Sequence, residues 1–143
     1  MSSININCPH CHKANRIASH QFKHEITCQY CNKNILKGVV SELLPHNFLP
    51  LTSAKQPLVL FISGPNCSKC KSFSMIFSAY AKQQNSELIF SEAYLPNNKA
   101  LANKLKLRGV PAIAIFKNSK IRGLVNGGMR KGELTKFIND SLS

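Results

Sequence analysis

Residues 58–70 read Leu58-Val59-Leu60-Phe61-Ile62-Ser63-Gly64-Pro65-Asn66-Cys67-Ser68-Lys69-Cys70. The opening five residues are apolar without alternation, which predicts a strand buried on both faces of a parallel sheet. From Cys67 to about Gln83 the spacing turns helical, with Cys70, Phe73, Phe77 and Tyr80 at offsets 0, 3, 7 and 10 forming one apolar stripe. Two thiols three positions apart thus stand where a strand gives way to a helix. In a first helical turn the leading sulfur meets unpaired backbone N–H groups and the positive end of the helix dipole, and both favour thiolate over thiol. The second cysteine lies one turn on, close enough to resolve a mixed disulfide formed by the first. This is the physical minimum for dithiol–disulfide exchange.

Working outward, Val39-Val40 through Leu44 reads as a short strand and His46 to about Ser53 as a short helix crowded by Pro45 and Pro50. Downstream, Leu88 to Ala93 is a strand, and Asn98 to about Lys106 is a helix with Leu101 and Leu105 on one face. Ala112 to Phe116 and Ile121 to Val125 are strands joined by the short connection Lys117 to Lys120. After the break at Gly127-Gly128, Leu134, Phe137 and Ile138 mark a last amphipathic helix ending near Ser141. The order βαβαβαββα implies an α/β sandwich, a mixed central sheet with helices on both faces.

The N-terminal quarter has a different chemistry. Cys8, Cys11, Cys28 and Cys31 form the pattern C-x2-C-x16-C-x2-C. Each C-x-x-C turn aims two sulfurs at one point, and two such turns close a tetrahedral site for Zn²⁺ with no open position, a structural centre. Between them only Ile17, Phe22 and Ile26 are bulky and apolar, so the metal is expected to drive folding. His10, His12, His20 and His24 lie nearby, but four cysteines complete the shell. The expected domains are a zinc ribbon over residues 1–37 and a second domain over 38–143, with residues 33–38 as the junction.

Nineteen Lys and Arg against six Asp and Glu give a formal charge of +13, with the basic residues scattered along the chain. Scattered charge of this size predicts a self-repelling monomer with a bias toward acidic partners rather than a nucleic-acid groove. Only Phe22 and Tyr30 interleave aromatics with the basic residues of the ribbon, few for stacking on single-stranded nucleic acid. No run approaches 18 apolar residues, so no membrane span is predicted, and Met1 to Asn7 lacks the basic and apolar regions of a secretory signal. These features place the protein in a reducing cytoplasm, where three C-x-x-C pairs are metal-binding or redox-active rather than a disulfide framework.

From residue 39 on, the chain resembles thioredoxin. The likeness rests on the strand and C-x-x-C helix, Gly109-Val110-Pro111 before a strand, Phe116-Lys117-Asn118 in a hairpin, Asn126-Gly127-Gly128 and the terminal helix. With the ribbon ahead of it and Asn15-Arg16-Ile17 after the first knuckle, the whole is similar to the zinc-bearing second-type thioredoxins of bacteria. The resemblance implies a protein-disulfide reductase recharged by NADPH-dependent thioredoxin reductase. It assigns attack to Cys67, resolution to Cys70 and the cis-proline to Pro111, with Asn66, Val110 and Gly127 as substrate-contact positions. The chain departs from the family in three places. Asn66-Cys67-Ser68-Lys69-Cys70 replaces Trp-Cys-Gly-Pro-Cys, Phe61 stands where a buried aspartate relays a proton, and Glu92 stands where a lysine is common. Two readings of Glu92 are open: a proton relay acting from the neighbouring strand, or a solvated carboxylate at a strand end. Two readings of Lys69 are open as well: beside Cys67 it favours the thiolate by charge and hence a more oxidising pair, or it is a solvated side chain. An alternative function is a redox-regulated zinc chaperone, or a client-specific binding module with little general reductase activity.

Overall fold

The computed structural model describes residues 3–18, 26–83 and 88–143. Phe22, His20 and His24 lie outside them. The chain begins with an antiparallel hairpin, β1 (Ser3–Asn7) and β2 (Ala14–Ala18), flanking the first C-x-x-C turn. Then follow β3 (Val40–Glu42), a 3-10 turn Pro45–Asn47, α1 (Phe48–Thr52), β4 (Leu58–Ser63) and α2 (Ser68–Gln83). The remainder is β5 (Ile89–Tyr94), a 3-10 turn Leu95–Asn97, α3 (Lys99–Leu105), β6 (Ala112–Lys117), β7 (Lys120–Asn126) and α4 (Lys131–Leu142).

Five strands form one sheet in the order β3-β5-β4-β6-β7. β3 and β4 run parallel to β5, whereas β6 pairs antiparallel with β4 and β7 with β6. All six residues of β4 are buried, as its unbroken apolar run requires of a central strand. Strand alternation then divides its side chains between two cores. Val59 and Phe61 face α2 and α4, where Phe61, Phe73, Phe77, Phe90 and Tyr80 pack mostly edge to face at 5.1–5.8 Å. Leu58, Leu60 and Ile62 face the other side, with Leu51, Leu101 and Leu105.

The ribbon joins that second core. Ile4 and Ile6 of β1, Ile17 of β2, and Ile35 and Leu36 are buried in the same cluster as Leu43 and Leu51. The few apolar groups between the knuckles are joined by those the chain supplies on either side of them, Ile4, Ile6, Ile35 and Leu36. The junction residues are likewise fixed: the Leu36 backbone N–H donates to Asn34 Oδ1 at 2.9 Å, and both side chains following Asn34 are fully buried. Polar contacts complete the seam. Asn47 Nδ2 donates to the carbonyls of Asn5 and Glu42 at 3.2 Å, and Asn7 Nδ2 donates to Glu42 Oε1 at 3.1 Å.

Candidate functional site: a disulfide at a helix N-terminus and a four-cysteine cluster

Cys67 immediately precedes α2 and Cys70 lies in its first turn; the two are disulfide-bonded, with Cα atoms 5.2 Å apart. The Cys70 backbone N–H points at Cys67 Sγ, 3.0 Å away. An unpaired helix-end N–H is thus directed at the leading sulfur, which favours the thiolate after reduction. Cys70 is buried against Phe61 and Phe73, while Cys67 is half-buried at the surface. An accessible and a buried sulfur are thereby distinguished.

The Val110–Pro111 peptide is cis, and Val110 packs in the same cluster as Cys67 and Cys70. The Gly127 N–H donates to the Pro111 carbonyl at 2.7 Å, tying the two loops together, and Gly127 itself has φ +115°, which L side chains rarely adopt. Asn66 also takes a positive φ, +52°, one of the few side chains suited to it. Gly64 packs closely: a Cβ added there would lie 2.9 Å from Val110 Cγ2. Gly64→Ala is therefore expected to push the Val110–Pro111 loop away and to cost about 1–3 kcal/mol. Denaturant unfolding measures the loss, and disulfide turnover should fall with it.

Glu92 is where sequence reasoning left two alternatives. It is half-buried on β5 in register with Phe61, it accepts a hydrogen bond from Ser63 Oγ at 2.7 Å, and it lines an open cleft of about 420 Å³ with Cys67, Cys70 and Lys71. Phe61, in the place of the family's aspartate, is spent on the aromatic core and brings no carboxylate to the site. Ser63 was missed in the sequence because a serine ending an apolar run carries no periodic signal. A second cleft of about 440 Å³ lies between the ribbon and α2, lined by Cys8, His12, Glu42 and Ser78, and it shares Glu92 and Tyr94 with the first. Only the docking of the ribbon creates it.

The four remaining cysteines come together. Their sulfurs lie within 4.8 Å of one another, with Cys8–Cys31 at 3.7 Å and Cys11–Cys28 at 3.6 Å. A tetrahedral ion bound at about 2.3 Å needs sulfurs roughly 3.8 Å apart, so the donor set fits such a metal. The two knuckles repeat one geometry. His12 and Asn32 have φ +66° and +64°, with N–H donated to the carbonyls of Cys8 and Cys28 at 2.9 and 3.0 Å. Neither His10 nor His12 belongs to the set. Burial opposes ionisation of Cys28, but hydrogen bonds from the Asn15 side chain and the Tyr30 and Cys31 backbone outweigh it and hold its thiol down at about 6. Asn15, itself buried, donates to Cys28 Sγ at 3.4 Å and accepts from the Gln29 N–H at 2.8 Å, so it orients the second knuckle.

A mixed five-stranded sheet with a C-x-x-C pair at a helix N-terminus and a cis-proline loop beside it defines a protein of thioredoxin fold. Residues 39–140 match the family described as Thioredoxin, and the chain belongs to that family. It is 34% identical over 73 residues to a thioredoxin of Buchnera aphidicola subsp. Baizongia pistaciae, covering 51% of this chain and 67% of that one. It is also 27% identical over 81 residues to NADPH-dependent thioredoxin reductase 3 of Arabidopsis thaliana, covering 57% of this chain but 15% of that protein. Among solved structures, the short form of spinach chloroplast thioredoxin F aligns with a TM-score of 0.67 and 26% identity over 78% of this chain and 99% of that one. Membership carries thiol–disulfide oxidoreductase chemistry in general. No helix among the described residues is long and apolar enough to cross a membrane.

Proposed function

We propose that the protein is a cytoplasmic, monomeric protein-disulfide reductase, with residues 1–37 as a structural zinc ribbon and 38–143 as the reacting domain. The observation that carries the reading is the Cys70 N–H directed at the half-buried, reachable Cys67 Sγ. In the reduced protein the Cys67 thiolate attacks a substrate disulfide, forming a Cys67–substrate disulfide and releasing one substrate thiolate. Cys70 then loses its proton and attacks Cys67 Sγ, closing the Cys67–Cys70 bond and releasing the second thiol. Two electrons pass from the dithiol to the substrate. The dithiol is restored by NADPH-dependent thioredoxin reductase, a partner that accords with the Arabidopsis relative's name. Asn66, Val110 and Gly127 frame the approach, and Zn²⁺ occupies the Cys8, Cys11, Cys28 and Cys31 cluster, holding the ribbon without taking part in exchange.

Glu92 receives the Cys70 proton during resolution. Among the described residues it is the one carboxylate lining the cleft with the disulfide, Ser63 holds it in place, and the open cleft lets the proton pass on to water. Glu92→Gln keeps the Ser63 contact but cannot accept a proton, so it is expected to slow resolution by up to about a hundred-fold while leaving the first attack unchanged. Mixed disulfide should accumulate in rapid-quench experiments, and a resolution rate equal to the native one would remove Glu92 from the mechanism. The test of the whole is dithiothreitol-driven insulin reduction: the native protein should accelerate it and Cys67→Ser should not.

A further inference from the structure

A third groove, of about 530 Å³, lies on the opposite side of the α2 N-terminus, between α2 and the loop leading into α4. Its wall begins with Ser68 and Lys69, the two residues between the reacting cysteines, and ends at Gly127 to Arg130, so it adjoins the redox site. The floor is apolar, made by Phe73, Ile76 and Met129. Lys69 and Arg130 stand exposed at the rim, and neither forms an ion pair among the described residues. Glu133 also lines the groove, but its Oε1 accepts the Arg130 backbone N–H at 3.0 Å and caps the start of α4.

The carboxylates of the described residues number four, and two of them, Glu42 and Glu92, face the clefts on the other side of α2. Lys71 also lines the nearer of those clefts and Glu133 lines this groove, so the lining side chains leave a net −1 on that side of the redox centre and +1 on this one. A negatively charged segment is turned away from the first and drawn to the second.

We propose that the groove between α2 and α4 seats the polypeptide that bears the target disulfide, and that it selects segments combining an apolar residue with acidic neighbours. The inference rests on the oxidoreductase reading above and names its substrate class. The apolar side chain fills the space over Phe73 and Ile76, and the flanking carboxylates pair with Lys69 and Arg130. Gly127 leaves the wall low enough for a backbone to approach, and its hydrogen bond to Pro111 holds that wall in a fixed relation to the cis-proline loop. Two exposed charge pairs are worth about a five-fold preference together, and salt screens it.

The test uses the full chain, reduced by dithiothreitol, on three peptides of one sequence with an intramolecular disulfide and a leucine beside it, their flanks acidic, neutral or basic. Bis(2-hydroxyethyl) disulfide reports the chemistry alone. The acidic peptide should be reduced at least about five-fold more efficiently in kcat/KM than the basic one at low salt, with the difference shrinking toward 1 M salt. In Lys69→Glu/Arg130→Glu the acidic-to-basic ratio should fall to one or below. In Lys117→Glu/Lys120→Glu, which makes the same change in net charge on the hairpin at the far end of β6 and β7, it should hold. Equal rates for the three peptides with the small disulfide still reduced would overturn the groove and leave the oxidoreductase standing. Equal losses in both double variants would overturn it too, assigning the preference to the charge of the whole chain. Failure to reduce any of the four disulfides would overturn the oxidoreductase reading and the groove with it.

Discussion

Cys67→Ser is expected to abolish insulin reduction to the level of dithiothreitol alone, and Cys70→Ser to stop turnover after one attack. The two losses differ in kind because the structure gives the sulfurs different surroundings. Cys67 is reachable from solvent and faces the Cys70 N–H, whereas Cys70 is buried against Phe61 and Phe73. A serine hydroxyl at position 67 is not ionised at neutral pH and does not attack a disulfide, so no intermediate forms. A serine at position 70 leaves the first attack intact, and the Cys67–substrate disulfide then persists for want of a resolving thiol. Non-reducing electrophoresis distinguishes them: a covalent adduct with Cys70→Ser, none with Cys67→Ser. Adduct formed by Cys67→Ser would reverse the assignment of the two thiols.

The second large effect concerns the four-cysteine cluster. Cys28→Ser removes one of the four cysteines arranged to hold the proposed zinc ion, and an anchor that Asn15 and the Tyr30 N–H both address. Structural zinc contributes on the order of 10–16 kcal/mol to the folding of small zinc peptides. Were the ribbon an appendage, its loss would leave the unfolding of residues 38–143 untouched. It is not an appendage: Ile4, Ile6, Ile17, Ile35 and Leu36 are buried with Leu43 and Leu51. Losing that contact at a cost of about 5 kcal/mol would lower the thermal midpoint of the whole chain by roughly 10–20 °C. Calorimetry of Cys28→Ser, and of the native protein with and without a zinc chelator, tests this. An unchanged midpoint would show that the ribbon and the rest of the chain do not melt together. Release of one zinc ion per chain to a chromophoric chelator is the expected result, and no release would overturn the zinc assignment.

The helix-forming stripe of α2, the buried run of β4 and the knuckle spacing were all legible because each is a local pattern with one physical meaning. Periodicity, burial and ligand spacing belong to segments of a few residues. The ribbon's core escaped notice for the opposite reason. Ile4 and Ile6 alternate over only five residues, and Ile35 and Leu36 are adjacent, so neither pair declares a partner. Their burial depends on where β1 and the junction dock.

The pairing of Cys67 with Cys70, the four-cysteine set and the order of elements were determined by the sequence alone, since the chemistry of each is written in contiguous residues. The environment of Glu92 was decided by tertiary structure. Register with Phe61 across β4 and β5, the Ser63 hydroxyl 29 positions away and the cleft beside Cys70 exist only once the sheet is assembled. The same holds for the division of charge about α2, because Lys69 and Arg130 lie on one side, and Glu42 and Glu92 on the other, through pairing of strands and helices distant in the chain. Contacts between residues far apart in sequence leave no periodic mark on it, and a side chain's neighbours become known only when the strands meet.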